Sequence, residues 1–330
     1  MARIHPLASV CLAGLFCGAC ATTLQTSQLP LSECFEVPVT IAGQESRFVL
    51  DTGCGQSVVA AATKDRLGLT TTVAETATAA WDATGAVRQV RELARVEGLV
   101  IGAIPFDPCN MVLLPLGDWF PSDGILGLDA MLGLAWVFDP AAGQVVATGK
   151  EQLDDELLAR GLLVKQRVPL RLDRQRNQIW VHIRCNGKLV ELQIDTGATQ
   201  TSLPRATIEE LKLPDGEHLR QRDRQRAAER IRRQIKSLGG VQVKVTIHDS
   251  PPQFIGVHGE TRSYVPYRLE RLDLGEEVFS ELCVSASVDV SEQERGDTGQ
   301  VVNGRLGQDV LGGLIWALDW RHNELLILTR

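Results

Sequence analysis

The sequence predicts a mainly-β protein built from two copies of one unit. Three observations carry this expectation. Short runs rich in Val, Ile and Thr recur between glycine turns along the 330 residues, the pattern of strands and not of helices. An apolar strand breaks twice into an acidic glycine turn, in FVLDTGCGQSVV at Phe48–Val59 and in LQIDTGATQTSL at Leu192–Leu203. Downstream, DGILGLDAMLGLAWVFDP (Asp123–Pro140) matches NGRLGQDVLGGLIWALDW (Asn303–Trp320) at eight of eighteen positions, in the same order. Repetition on this scale sets two units, near residues 33–150 and 165–330.

The elements follow in chain order. Arg3 and His5 precede an apolar run, Leu7–Ala19, which has the length of a signal-peptide core and is too short to span a bilayer. Cleavage after Ala21 fits its Ala19-Cys20-Ala21 pattern, giving a targeting segment over residues 1–21; alternatively Cys20 is a lipoprotein cysteine, although Cys17 stands where such signals usually carry Leu. Gly43 and Gly187 each lie eight residues before an acidic turn, so VTIAGQESRFVLDTG and IRCNGKLVELQIDTG read as hairpins entering those turns. Ile101-Gly102 with Phe106 parallels Leu274-Gly275 with Phe279. The closing strands are expected at Gly143–Thr148 and Glu324–Thr329, and residues 151–164 read as a linker with helical character. The second unit is longer, with its surplus in Asp215–Gly259; within it Glu217–Lys236 is Arg-rich and reads as one helix, a basic insert near residues 215–238.

Composition narrows the function. Hydrophobic residues make up 44% and charged residues 23%, a globular balance, and the net charge of -7 disfavours nucleic acid as a partner. His182, His248, His258 and His322 lack metal-ligand spacing, and no GxSxG elbow or P-loop occurs, so no metal or cofactor is expected. Beyond the leader, Cys34, Cys54, Cys109, Cys185 and Cys283 leave an odd count. Cys54 beside the first acidic turn reads as a small buried thiol, with a disulfide to Cys109, a redox-sensitive site or a nucleophile paired with His as alternatives.

Asp51-Thr52-Gly53 and Asp195-Thr196-Gly197, each after an apolar strand, and the strands Ile125-Leu126-Gly127 and Leu306-Gly307 together resemble the aspartic proteases of the retropepsin and pepsin kind. The resemblance covers both units. It implies two retropepsin-like β-barrel lobes related by a pseudo-twofold axis, with a helical insert in the second lobe. It implies an endopeptidase with Asp51 and Asp195 as its catalytic pair; the leader segment adds the expectation that it is exported, to the bacterial periplasm or as a lipid-anchored form. The chemistry agrees: peptide hydrolysis needs a base for water and an acid for the leaving nitrogen, and two close carboxylates sharing one proton serve as both. Gly53 and Gly197 are expected to let the backbone approach the acids, and Thr52 and Thr196 to lock the turns together. Cys54 and Ala198 replace the serine that pepsin-like enzymes often carry after this turn, so fewer donors face the pair and activity from mildly acidic to near-neutral pH is expected.

Flap hairpins are expected at Ala77–Val90 and Gly256–Tyr267, with Trp81, Gly85 and Gly259 meeting an extended polypeptide substrate. Membrane association is expected only through a lipidated Cys20 or the basic insert, and the chain should act as a monomer, an intramolecular pseudo-dimer. Asp129 and Asp309 are expected to cap short helices, and Asp139 and Asp319 to serve turns. Arg305 stands where Ile125 stands in the first unit; it either faces solvent or points inward. The rival reading is a protease-shaped binder that holds peptides or a periplasmic partner without cutting.

Overall fold

The computed structural model describes residues 26–32, 35–81, 87–117, 120, 122–226, 253–255, 261–286 and 304–330. The leader, Cys20, Cys34, Gly85, Gly259 and the later part of the basic insert lie outside the described residues. The protein is mainly β: among the described residues, its strands form a 12-stranded sheet, a nine-stranded sheet and a two-stranded ribbon.

Each expected hairpin forms. Glu36–Ile41 pairs with Gln44–Leu50, and Gln178–Cys185 pairs with Lys188–Ile194. Their two-residue turns, Ala42-Gly43 and Asn186-Gly187, have positive φ at both positions, the left-handed geometry that matches strand twist. Asn and Gly tolerate that conformation; Ala42 adopts it at a cost.

Both halves then repeat one arrangement. Gly124–Leu126 runs parallel to the end of Gln44–Leu50 and antiparallel to Val58–Ala60. Arg305–Leu306 runs parallel to the end of Lys188–Ile194, with Arg305 opposite Ser202 on the antiparallel side. The loop after each acidic turn is thereby threaded against the later strand. In the second half, pairing of Arg184 with Asp273 and Cys185 with Leu272 also brings the first strand of the series back to the last.

The halves are joined by a continuous sheet. Ala135–Asp139 lies antiparallel to Ile315–Asp319, with Val137 opposite Ala317. Gln144–Thr148 and Glu324–Thr329 flank this seam, and Ser27–Pro30 and Leu163–Asp173 extend it outward. Phe138 stacks on Trp316 at 4.0 Å, and the indole N–H groups of Trp136 and Trp320 both donate to the Met131 carbonyl. Trp136, Phe138 and Trp316 are fully buried. Burial of each such ring contributes about 1.5–3 kcal/mol, so the seam is part of the core. The expected linker is also packed structure: Leu153–Ala159 is a helix whose Leu153 and Leu157 join Val137, Val146 and Leu326 under the sheet.

Three expectations are corrected in detail. Asp129 and Asp309 are not N-caps; Gly127 and Gly307 hold those positions, and the aspartates sit in the first turn. There they tie each helix to the loop after the acidic turn, Asp129 accepting from Ser57 Oγ at 2.6 Å and Asp309 from Thr201 Oγ1 at 2.7 Å. Cys54 is a thiol and forms no disulfide with Cys109. The insert is helical over residues 217–226 as far as it is described; Leu219 is buried and Arg222 donates to the Glu281 carbonyl, so its start packs on the sheet and is not a free solvated helix. Asp139 and Asp319 serve turns as expected, accepting from the Ala142 and Arg321 N–H groups. Among the described residues, no helix is long and apolar enough to cross a membrane.

Candidate active site

The strand ending at Leu50 and the strand ending at Ile194 deliver Asp51 and Asp195 to one place. Each acid is the first residue past its strand, and its N–H is held by the later strand: Asp51 by the Leu126 carbonyl at 3.0 Å and Asp195 by the Leu306 carbonyl at 3.1 Å. The far side of each loop is pinned equivalently, Leu128 N–H to the Cys54 carbonyl and Gln308 N–H to the Ala198 carbonyl, both at 2.8 Å.

The threonines cross between the turns. Thr52 N–H donates to Thr196 Oγ1 at 3.0 Å, and Thr196 N–H donates to Thr52 Oγ1 at 3.1 Å. Each hydroxyl then donates onward, Thr52 to the Ile194 carbonyl at 2.9 Å and Thr196 to the Leu50 carbonyl at 2.6 Å. Both side chains are fully buried, so every polar atom in this lattice is satisfied by the opposite half. Sequence reasoning placed these threonines and missed two further ties: Gln193 donates to the Gly53 carbonyl at 3.1 Å, and Gln308 to the Thr196 carbonyl at 2.6 Å.

Each carboxyl group lies against the glycine of the opposite turn, which brings the two acids together. Gly53 N–H donates to Asp51 Oδ1 at 2.8 Å; Asp195 Oδ1 receives both Gly197 and Ala198 N–H at 3.0 Å. Glycine is needed here for close approach and not for backbone angle, since neither turn glycine has positive φ. A methyl on Gly197 would lie 2.5 Å from Asp51 Cγ, and one on Gly53 would collide with Asp195 Cγ in the same way. Gly53→Ala or Gly197→Ala should therefore push the acids apart and lower kcat about 10²-fold, measured on a peptide substrate with circular dichroism as the control; an unchanged kcat would show that the contact is irrelevant to turnover.

Burial pushes the Asp51 carboxyl up to about 8, reinforced by the neighbouring Asp195 carboxyl; Gly53 N–H and Arg305 pull weakly the other way. Burial and the neighbouring Asp51 raise the Cys54 thiol well above the ordinary range, which disfavours the thiolate a nucleophile needs, and its Sγ donates to the Gln56 carbonyl. Arg305 points inward, with its Nε 3.2 Å from Asp195 Oδ2. Burial also lifts Asp309 to about 6, but its partner is Thr201, behind the loop.

Residues 37–130 match the family model described as aspartyl protease. This likeness to aspartyl proteases covers that segment and not the rest of the chain. The matched segment holds the first acidic turn and the strand that supports it; the second turn lies beyond it and rests on the pairing described above. Among solved structures, the chain is similar to a retropepsin-like aspartic protease from Rickettsia conorii, at 12% identity over 50% of this chain and 91% of that one, with a TM-score of 0.29. Comparison with curated proteins gives no match.

Of the remaining expected site residues, Trp81 ends the strand Thr70–Trp81, paired with Val87, where the first flap was expected. Its tip, with Gly85, is outside the described residues, as is Gly259 between the paired strands Gln253–Ile255 and Thr261–Ser263.

Proposed function

We propose that this chain is an aspartic endopeptidase that cuts extended polypeptides with Asp51 and Asp195 as a shared acid/base pair. One observation carries the reading: two carboxyls from distant, similarly built turns are brought together, each against the other turn's glycine, on a buried frame of crossed threonine hydrogen bonds. The matched pairing in each half and the antiparallel seam support two barrel-like lobes about a pseudo-twofold axis. The units proposed are residues 33–150 and 165–330, joined through 151–164, in a monomer. Paired strands on either side of residues 82–86 and 256–260 support flaps over an extended substrate, with Trp81, Gly85 and Gly259 its proposed contacts. Export, with or without a lipid on Cys20, remains part of the proposal on the strength of the Leu7–Ala19 run.

In the proposed reaction, Asp195 removes a proton from water as the oxygen attacks the peptide carbonyl, while Asp51 donates its proton to the carbonyl oxygen. The tetrahedral adduct then collapses as a proton reaches the departing nitrogen, breaking the C–N bond and releasing a carboxyl and an amine. Asp51 suits the acid role because burial keeps it protonated at neutral pH. Asp195 suits the base role because two backbone N–H groups and Arg305 surround it.

A second reading, a binder that holds peptides without cutting, draws on Arg305, whose inward turn places a cation against one acid. The two readings are tested by incubating the chain with an unfolded protein mixture from about pH 4 to about pH 9 and sequencing the products by mass spectrometry. Internal cleavage is expected, with kcat/KM falling as pH rises through about 8, where Asp51 loses the shared proton. A profile peaking below about pH 3.5 would contradict the ionisation argument; absence of cleavage at every pH would leave the binder.

A further inference from the structure

The two halves differ on the sheet face that flanks the acids. In the first half, registered neighbours across four strands are Val49, Ile125, Val58 and Val112. In the second half, the corresponding neighbours are Gln193, Arg305, Ser202 and Ser285. Directly paired residues project from the same face of a sheet. One row is therefore wholly apolar and its counterpart wholly polar. Ile125 is 4% exposed, packed with Val58, Val90 and Leu114, and Cys54 and Phe120 lie against that cluster.

The polar row has unused hydrogen-bonding capacity. Gln193 is committed to the Gly53 carbonyl. Arg305 approaches Asp195 through Nε at 3.2 Å, and its side chain is 24% exposed, leaving the terminal amino groups of a five-donor fork for another acceptor. Ser285 is 0% exposed, and its Oγ has no hydrogen-bond partner among the described residues. An orphaned buried hydroxyl destabilises the fold unless something reaches it. A cation with open donors and an unpartnered hydroxyl in one row beside the acids fit a carboxylate, which accepts from both. Asp195 would repel that carboxylate if unscreened; the guanidinium lies against Asp195 and can bridge the two.

We infer that Arg305, with Ser202 and Ser285, forms a subsite for a substrate carboxylate adjacent to the scissile bond, which the apolar Ile125 row of the first half does not offer. This rests on the peptidase reading above. Two sources supply the carboxylate: an Asp or Glu side chain, or the free C-terminus of a short peptide.

The test uses the purified chain and peptides that differ only in Glu or Gln beside the cleaved bond, each with a free or an amidated C-terminus. The Glu peptide is expected to have a kcat/KM at least about 10-fold higher than the Gln peptide. Arg305→Ile copies the residue of the first half and should bring that ratio close to one, with Ser285→Val lowering it in part; thermal melts establish that the variants are folded. Dependence on the free terminus in place of Glu would assign the subsite to the chain end. A ratio near one in the unchanged chain, or a ratio that survives Arg305→Ile, overturns the inference while leaving the peptidase reading standing. If no peptide is cut, binding of Glu and Gln peptides with a reduced, uncleavable bond decides: selective binding keeps the subsite and discards the peptidase, and equal binding discards both.

Discussion

Asp51→Asn is expected to eliminate peptide cleavage, a loss on the order of 10²–10⁴-fold or more, and at the same time to raise the melting temperature at neutral pH. The first effect follows because an amide cannot pass the shared proton. The second follows from the same carboxyl's burial. Its pKa is raised from 3.8 to about 8 in the folded chain. Below the lower value both states hold the proton and the group is neutral toward stability. As pH rises between the two values the unfolded chain ionises first, so stability falls, and the full penalty is present above about 8. Removing the acid should thus stabilise the fold by an amount on the order of 1–4 kcal/mol at neutral pH and by little near pH 3.5. Paired activity assays and thermal melts at both pH values check it. A variant that keeps cleaving removes Asp51 from the chemistry; one that is no more stable at pH 7 than at pH 3.5 removes the burial argument.

The second large effect concerns the crossed threonines. Thr52→Val keeps the shape of the side chain but orphans Thr196 N–H and the Ile194 carbonyl; Thr196→Val orphans Thr52 N–H and the Leu50 carbonyl. Each substitution should cost about 2–4 kcal/mol in urea unfolding. Each also loosens the frame that the other pair uses, so the double variant should cost less than the sum. Turnover should fall with both, because neither threonine touches substrate and both fix the distance between the acids. Additive single-site costs below about 0.5 kcal/mol would show that the lattice is dispensable.

The sequence carried the acidic turns, the threonines and the duplicated supporting strands, because each is a local pattern repeated at a constant offset. It carried the hairpins for the same reason: Gly43 and Gly187 mark turns whose angles few other residues accept. It did not carry the direction of Arg305, since that depends on which strand neighbours lie opposite it, and Ser202 and Ser285 come from distant segments. Close approach to an acid at Gly53 and Gly197 was legible, but not that the obstacle to a side chain there is the other half's carboxyl, which is absent from any local reading. Asp129 and Asp309 were recognised as helix-start residues, but their Ser57 and Thr201 partners are visible only when the loop folds back. A clue was present: Ser57 and Thr201 occupy equivalent places six residues after Asp51 and Asp195.

The seam of Ala135–Asp139 against Ile315–Asp319 lies within one polypeptide. An assembly of two identical chains would offer any ligand two indistinguishable orientations, and a mutation on one flank would necessarily recur on the other. On the proposed reading, a peptide and its reversed copy would meet different walls, so the polarity of the guest would be read. Dilution cannot part the walls, and each flank is free to drift under its own selection.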